Sequence, residues 1–258
     1  MFRIFFVKKF LSLNFAILFF AILNLTCKGP QKLTATPPKE AEMLFDGSRK
    51  MLDEKWTYWE GPRFAGVLPI KWLIVDDPLS NRTVLNSNDK TAGRGKYGVV
   101  DIVTKKKYRD FRLHIEFLVV EKGGNSGVYL QNRYEIQIFD GDSSIHGMAA
   151  VINEAGSPYS AYKGTGNWNT YDIVFRAARF ENGVRTEKAR VTMYFNRIKV
   201  HDDQPIEKVW GGKNSGLDGG KEVSDSPGGI KLQAEGHDVL FKNIWIKGMN
   251  IKSPNIIF

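Results

Sequence analysis

From Tyr97 onward, strand-length runs of alternating apolar and polar residues follow one another at short intervals, and helical periodicity is almost absent. That pattern excludes most fold classes. The clearest run is Phe111 to Val120, where Phe111, Leu113, Ile115, Phe117 and Val119 alternate with Arg112, His114 and Glu116. Side chains alternate across a strand, so the first set faces a core and the second points away. Further runs lie at Tyr97–Lys105, Ser126–Gln131, Tyr134–Phe139, Asn169–Ala177, Ala189–Phe195, Ile198–His201, Gly229–Ala234 and Val239–Lys247, with an apolar stretch at Met148–Ile152. Asn196-Arg197 reads as a tight hairpin turn. Upstream, Trp56–Trp59 and Trp72–Val75 read as short strands, and Leu79–Ala92 as a polar surface loop. About ten strands joined by hairpins predict an all-β fold, an antiparallel β-sandwich or jelly roll with one concave polar face for a ligand.

The first 26 residues stand apart from this pattern. Arg3, Lys8 and Lys9 precede an apolar run from Phe10 to Leu25, which is the layout of a secretory signal and is short for a spanning helix. Cys27, the single cysteine, follows directly. It cannot form an internal disulfide, and its place predicts a lipid attachment point, with simple signal cleavage or an uncleaved anchor as alternatives. Residues 27–40 are polar and carry three prolines among Lys28–Glu40, so they read as a tether. A single domain is expected over 41–250, followed by a tail at 251–258. These features predict an exported, membrane-anchored bacterial lipoprotein. Without the three cations of the signal, the formal charge falls from +9 to +6. Lys105–Lys107 and Arg109 form the densest basic run, and the remaining cations are scattered among acids, which together with export argues against a nucleic-acid partner.

Chemistry concentrates between Gly123 and Asp140, read as GGNSGVYLQNRYEIQIFD. In a strand over Tyr134–Phe139, Glu135 and Gln137 share one face, and a bulge near Ile138 or Phe139 would bring Asp140 onto it. The spacing Glu-x-Gln-x-x-Asp resembles the Glu-x-Asp-x-x-Glu signature of laminarinase-type glucanases. Two features depart from it. Asp140 is one methylene shorter than Glu, although a retaining hydrolase needs its carboxylates about 5 Å apart. Gln137 replaces a central carboxylate that could separate the pKa values of its neighbours.

A broader resemblance runs from about Leu44 to Gly248, carried in order by LFDG, FRLHIEF, GNSGVYLQNRYEIQIFD, NWNTYDIVFRAARF, ARVTMYFN and GGIKLQAEGHDVLFKNIWIK. These motifs together resemble the 3-keto-disaccharide hydrolase family, also known as domain of unknown function 1080. The resemblance implies a concanavalin A-like jelly roll acting on glycosides already oxidised to a ketone at C3, with a separate sugar oxidoreductase upstream. A C3 ketone acidifies the C2 hydrogen, so one base, one enolate stabiliser and one leaving-group acid suffice.

On that chemistry Glu135 is the expected base or metal ligand, with Gln137 and Asp140 as its partners. His146, in a Gly-flanked loop, is an acid, a metal ligand or an exposed histidine with neither role. Arg133 would stabilise an enolate or hold sugar hydroxyls, with an ordinary surface arginine as the alternative. Asn125 and Gln131 are candidate sugar contacts, and Gln233, Glu235 and His237 would form the far wall of the cleft. Trp168 either stacks on a pyranose or anchors the strand of Tyr171. His114 and Glu116, two apart on one strand face, could share a cation, so a divalent ion is an open expectation although no fixed structural-metal spacing is present. A noncatalytic carbohydrate-binding lipoprotein and a conventional laminarinase-type hydrolase remain the alternative functions.

Overall fold

The computed structural model describes residues 36–59, 70–87, 100–157, 160–210 and 223–251. The signal segment, Cys27 and most of the tether and tail lie outside these residues. Among the described residues fifteen strands and one helix follow in order: β1 (Glu42–Phe45), α1 (Arg49–Lys55), β2 (Trp56–Trp59), β3 (Leu73–Asp76), β4 (Thr83–Asn86), β5 (Asp101–Thr104), β6 (Asp110–Val119), β7 (Asn125–Leu130), β8 (Tyr134–Phe139), β9 (Asn169–Arg176), β10 (Arg179–Glu181), β11 (Val184–Glu187), β12 (Ala189–Phe195), β13 (Ile198–Ile206), β14 (Lys231–Leu232) and β15 (Val239–Met249). An eight-stranded sheet runs β13-β12-β9-β6-β15-β4-β3 with β1 added to β15, and a five-stranded sheet runs β2-β5-β14-β7-β8.

The two sheets close on one core, as the alternation requires. Phe111, Leu113, Ile115 and Phe117 of β6 share it with Val128 and Leu130 of β7 and with Ile136 and Ile138 of β8. Each fully buried side chain of this size contributes on the order of 2 kcal/mol. The fold is therefore an antiparallel β-sandwich. Two contacts pin β8 across the sandwich. Tyr134 lies 5.5 Å from Phe175, centroid to centroid, and the Tyr171 hydroxyl donates to the Gln137 carbonyl at 2.7 Å.

Several local expectations change. The Leu79–Ala92 stretch contains β4, which pairs with β3 and β15. The seven-residue α1, capped by the Ser48 hydroxyl on the Met51 N–H, precedes the aromatic strand. The hairpin β10–β11 turns on Asn182-Gly183, both at positive φ, a turn pair the sequence displays openly. Asn196-Arg197 is a hairpin turn with both φ positive, as expected. Met148–Ile152 forms no strand, only two isolated bridges at Val151, to Ile136 and to Ala155.

The polar face of β6 is the largest surprise. His114 and Glu116 are each 1% exposed. The His114 ring stacks on Trp245 at 5.1 Å, with Nδ1 2.9 Å from Asp172 and Nε2 3.6 Å from Glu116. Asn243, at a break in the β6–β15 register, donates to Glu116 at 2.6 Å. Burial is tolerated because the imidazole sits between carboxylates.

Candidate active site

The outer face of the five-stranded sheet forms a grid. Pairing places Val103, Lys231, Tyr129 and Glu135 in one row, because Val103 is opposite Lys231, Lys231 opposite Tyr129, and Tyr129 opposite Glu135. The next row holds Trp59, Asp101, Gln233, Gly127 and Gln137, with Gln233 joined to Gly127 by a backbone hydrogen bond of 3.0 Å. Asn125 and Phe139 follow.

Gly127 is the hole in this grid. A Cβ there would stand 2.4 Å from Glu135 Oε1 and 3.2 Å from Gln233 Oε1. The Glu135 side chain therefore leans over bare backbone. Its Oε2 accepts from the Tyr129 hydroxyl at 2.7 Å, and Gln233 Nε2 donates to the same hydroxyl at 3.3 Å. With its amide oriented by its acceptors, Gln137 Nε2 lies 3.3 Å from Glu135 Oε1 and 3.0 Å from the Ser126 carbonyl. Lys231, fully buried, places its ammonium 3.6 Å from the Tyr129 ring centroid and 2.7 Å from Asp101 Oδ2. Asp101 Oδ1 accepts from the Ala234 N–H at 2.9 Å, which fixes the pair.

Burial pushes the Glu135 carboxyl up from 4.5 to about 7, with Asp101 and Glu235 adding to the rise and the Tyr129 hydrogen bond and Lys231 opposing it. Burial and the charge of Glu135 push the Tyr129 phenol far above its ordinary range, so it stays protonated and donates. A carboxyl near neutrality is matched to proton transfer at physiological pH. It also leaves a thermodynamic mark. The raised folded-state pKa stabilises the fold below about pH 4.5, and this contribution is lost as pH rises through about 7. Denaturation of the natural chain and Glu135→Gln between pH 4 and 8 should show the natural chain losing on the order of 2–3 kcal/mol relative to the variant across that window. A pH-independent difference would contradict the assignment.

The other sequence candidates divide. Gln137, Gln233 and Asn125 join Glu135, and the Asn125 Oδ1 and Gln233 Oε1 atoms are buried without hydrogen-bond partners. Glu235 lies beyond β14 with its surface largely exposed, and partial desolvation at the carboxyl, then the Asp101 charge, raise it. Asp140 does not reach Glu135. The β7–β8 register runs unshifted through Phe139, so the expected bulge is absent, and Asp140 Oδ2 instead accepts from the Gly123 N–H at 3.1 Å.

His146 is exposed, and its backbone N–H donates to the Ser144 hydroxyl at 3.2 Å. Gln131 and Asn132, both at positive φ, make the tight β7–β8 turn. Gln131 is buried against the Tyr108 and Arg109 carbonyls, and Arg133 against the Ser226 carbonyl, so both hold loops. His237 turns to Glu121 at 3.5 Å. Trp168 is a buried anchor, donating to Asp77 at 3.0 Å with the Lys242 ammonium 3.7 Å from its ring, and presents no face to a sugar. Among the described residues no group of three or more His, Cys, Asp or Glu side chains is arranged to hold a metal ion.

Tyr129, Lys231 and Asp101 were missing from the sequence reading. Tyr129 was within reach, since it shares the period-two face of Asn125 and Gly127. Lys231 interrupts an otherwise apolar strand. Asp101 depends on pairing across the sheet, which no local pattern reveals.

A family model described as a 3-keto-alpha-glucoside-1,2-lyase-like domain matches residues 40–247. The chain belongs to this family. This 3-keto-alpha-glucoside-1,2-lyase-like chain is 26% identical to a Parabacteroides distasonis protein described as a glycosyl hydrolase, with a TM-score of 0.65 over 82% of this chain and 85% of that one. A second structure from that organism, described in the same way, is 17% identical with a TM-score of 0.51, covering 79% of this chain and 98% of its own, and shows the shared fold. No curated protein matches the chain.

Proposed function

We propose that this carbohydrate-active family member cleaves 3-keto-glycosides by elimination, with Glu135 as the base. The observation that carries the reading is one half-buried carboxyl, leaning over the Gly127 hole and raised toward neutrality by desolvation. Glu135 takes the C2 proton, and the electron pair passes into the C3 carbonyl as an enolate. The enolate then reforms the carbonyl, the C1–C2 double bond appears, and the C1–O bond breaks. Protonated Glu135, an acid near pH 7, can return its proton to the leaving oxygen. Water then adds across C1–C2 to give the 3-keto sugar. The Gln233 amide, which gives one N–H to the Tyr129 hydroxyl, offers its other N–H to the developing oxyanion. A separate sugar oxidoreductase supplies the ketone.

The decisive experiment offers the purified chain a 3-keto-glucoside and its unoxidised parent. Cleavage of the oxidised sugar alone supports elimination. Cleavage of the parent supports ordinary hydrolysis, and binding without cleavage supports a lectin-like role. Within the elimination reading, Gly127→Ala should lower kcat/KM by about 10²-fold, because the new methyl displaces the carboxylate by about an ångström. Unchanged kinetics in that variant would show that the hole has no role.

The same proposal places the protein outside the cytoplasm, tethered through a lipid on Cys27, on the basis of the signal-like residues 1–26 and the position of the cysteine. Cys27→Ala should move the protein from the membrane to the aqueous fraction. Unaltered partitioning would remove the anchor from the account.

A further inference from the structure

Beyond the end of β8 lies a cavity of about 200 Å³ that the elimination chemistry does not use. Phe139, Met148 and Phe195 give it apolar walls, and Asp140, Asp142 and Tyr162 give it polar ones. Phe139 shares the face of Glu135 and Gln137 and is four residues from Glu135, a span of about 13 Å along the strand. Its ring packs closely against Gly141, where a Cβ would stand 2.1 Å from a ring carbon, so the aromatic wall depends on a glycine there. The Tyr162 hydroxyl is buried without a hydrogen-bond partner. Asp140 has a single side-chain hydrogen bond among the described residues, from the Gly123 N–H, and its charge adds to burial in raising the Tyr162 phenol. Among the described residues no lysine, arginine or histidine lines the cavity, although the chain carries a formal charge of +9.

The geometry points to a distal subsite for an uncharged pyranose ring of an extended glycoside. An aromatic wall receives the apolar face of the ring. Two carboxylates accept from its hydroxyls, and the Tyr162 hydroxyl gains the partner it lacks. The same carboxylates disfavour a uronate, because like charges repel. At about 13 Å the subsite lies beyond the reach of a single ring seated on Glu135, so the substrate it recognises is longer than a monosaccharide. The assignment rests on the reading of the Glu135 face as a carbohydrate site.

Calorimetric titration of the full chain in detergent, with unoxidised ligands and no turnover, tests it. Methyl glucoside, cellotriose, maltotriose and trigalacturonate are the probes. At least one neutral trisaccharide should bind about tenfold more tightly than methyl glucoside, and trigalacturonate should gain nothing over it. Asp140→Asn and Tyr162→Phe should each weaken the favoured trisaccharide by about three- to tenfold. The Tyr variant removes one hydroxyl and so guards against a folding artefact in the Asp variant. Equal affinity for one ring and three, tight binding of the uronate, or trisaccharide affinity unmoved in both variants would overturn the subsite. A chain that binds as expected but cleaves neither oxidised nor parent sugar would overturn the elimination reading and leave the subsite standing.

Discussion

Glu135→Gln should lower kcat for a 3-keto-glycoside by about 10²–10⁴-fold while the protein remains folded. Gln preserves the volume, and its amide oxygen can still accept from the Tyr129 hydroxyl that now lies 2.7 Å from Oε2. What it removes is the basic electron pair, together with a carboxylate that burial disfavours in its charged form. The melting temperature at pH 7 should therefore hold or rise slightly as activity disappears. Progress curves on the oxidised substrate, paired with thermal melts, check both halves. Full activity in the variant would remove Glu135 from the mechanism, and a collapsed fold would show that the carboxylate is structural.

Lys231→Met should cost about 3 kcal/mol of stability and shift the melting temperature down by roughly 10 °C. The ammonium is fully buried and paired with Asp101, whose side chain is 15% exposed. Removing it strands that carboxylate, although the Ala234 N–H still reaches it and moderates the loss. The variant should also move the acid limb of the rate profile upward, because Lys231 now lowers the Glu135 pKa. Chemical denaturation and a kcat–pH profile measure the two effects separately. Undiminished stability would mean that Asp101 is solvated or otherwise compensated.

The sequence shows the sandwich clearly because burial on one side of a strand imposes period-two alternation, and β8 obeys it residue for residue. Where both faces are buried the inference weakens. His114 and Glu116 look solvent-facing by alternation, yet pairing with Asp172 and Asn243 lets them sit inside. Trp168 illustrates the same gap, since only a partner from distant Asp77 decides between platform and anchor. Glu135, Gln137 and Asn125 were readable because they lie on one short hairpin. The fate of Asp140 was not, because a bulge is a property of pairing register and leaves no residue-type signature of its own.

β8 occupies the edge of its sheet, a position that ordinarily invites a neighbouring chain to add a strand. Its outward backbone groups are already engaged. The Gln137 N–H donates to the Ala150 carbonyl at 2.9 Å, the Ala149 N–H returns to the Gln137 carbonyl at 3.0 Å, and the Ile152 N–H meets the Glu135 carbonyl at 3.2 Å. The irregular segment that failed to become a strand thus acts as a selvedge. Molecules crowded together are kept from stitching their sheets through the strand that holds Glu135, and a substitution that loosened Ala149–Ile152 would surface first as self-association.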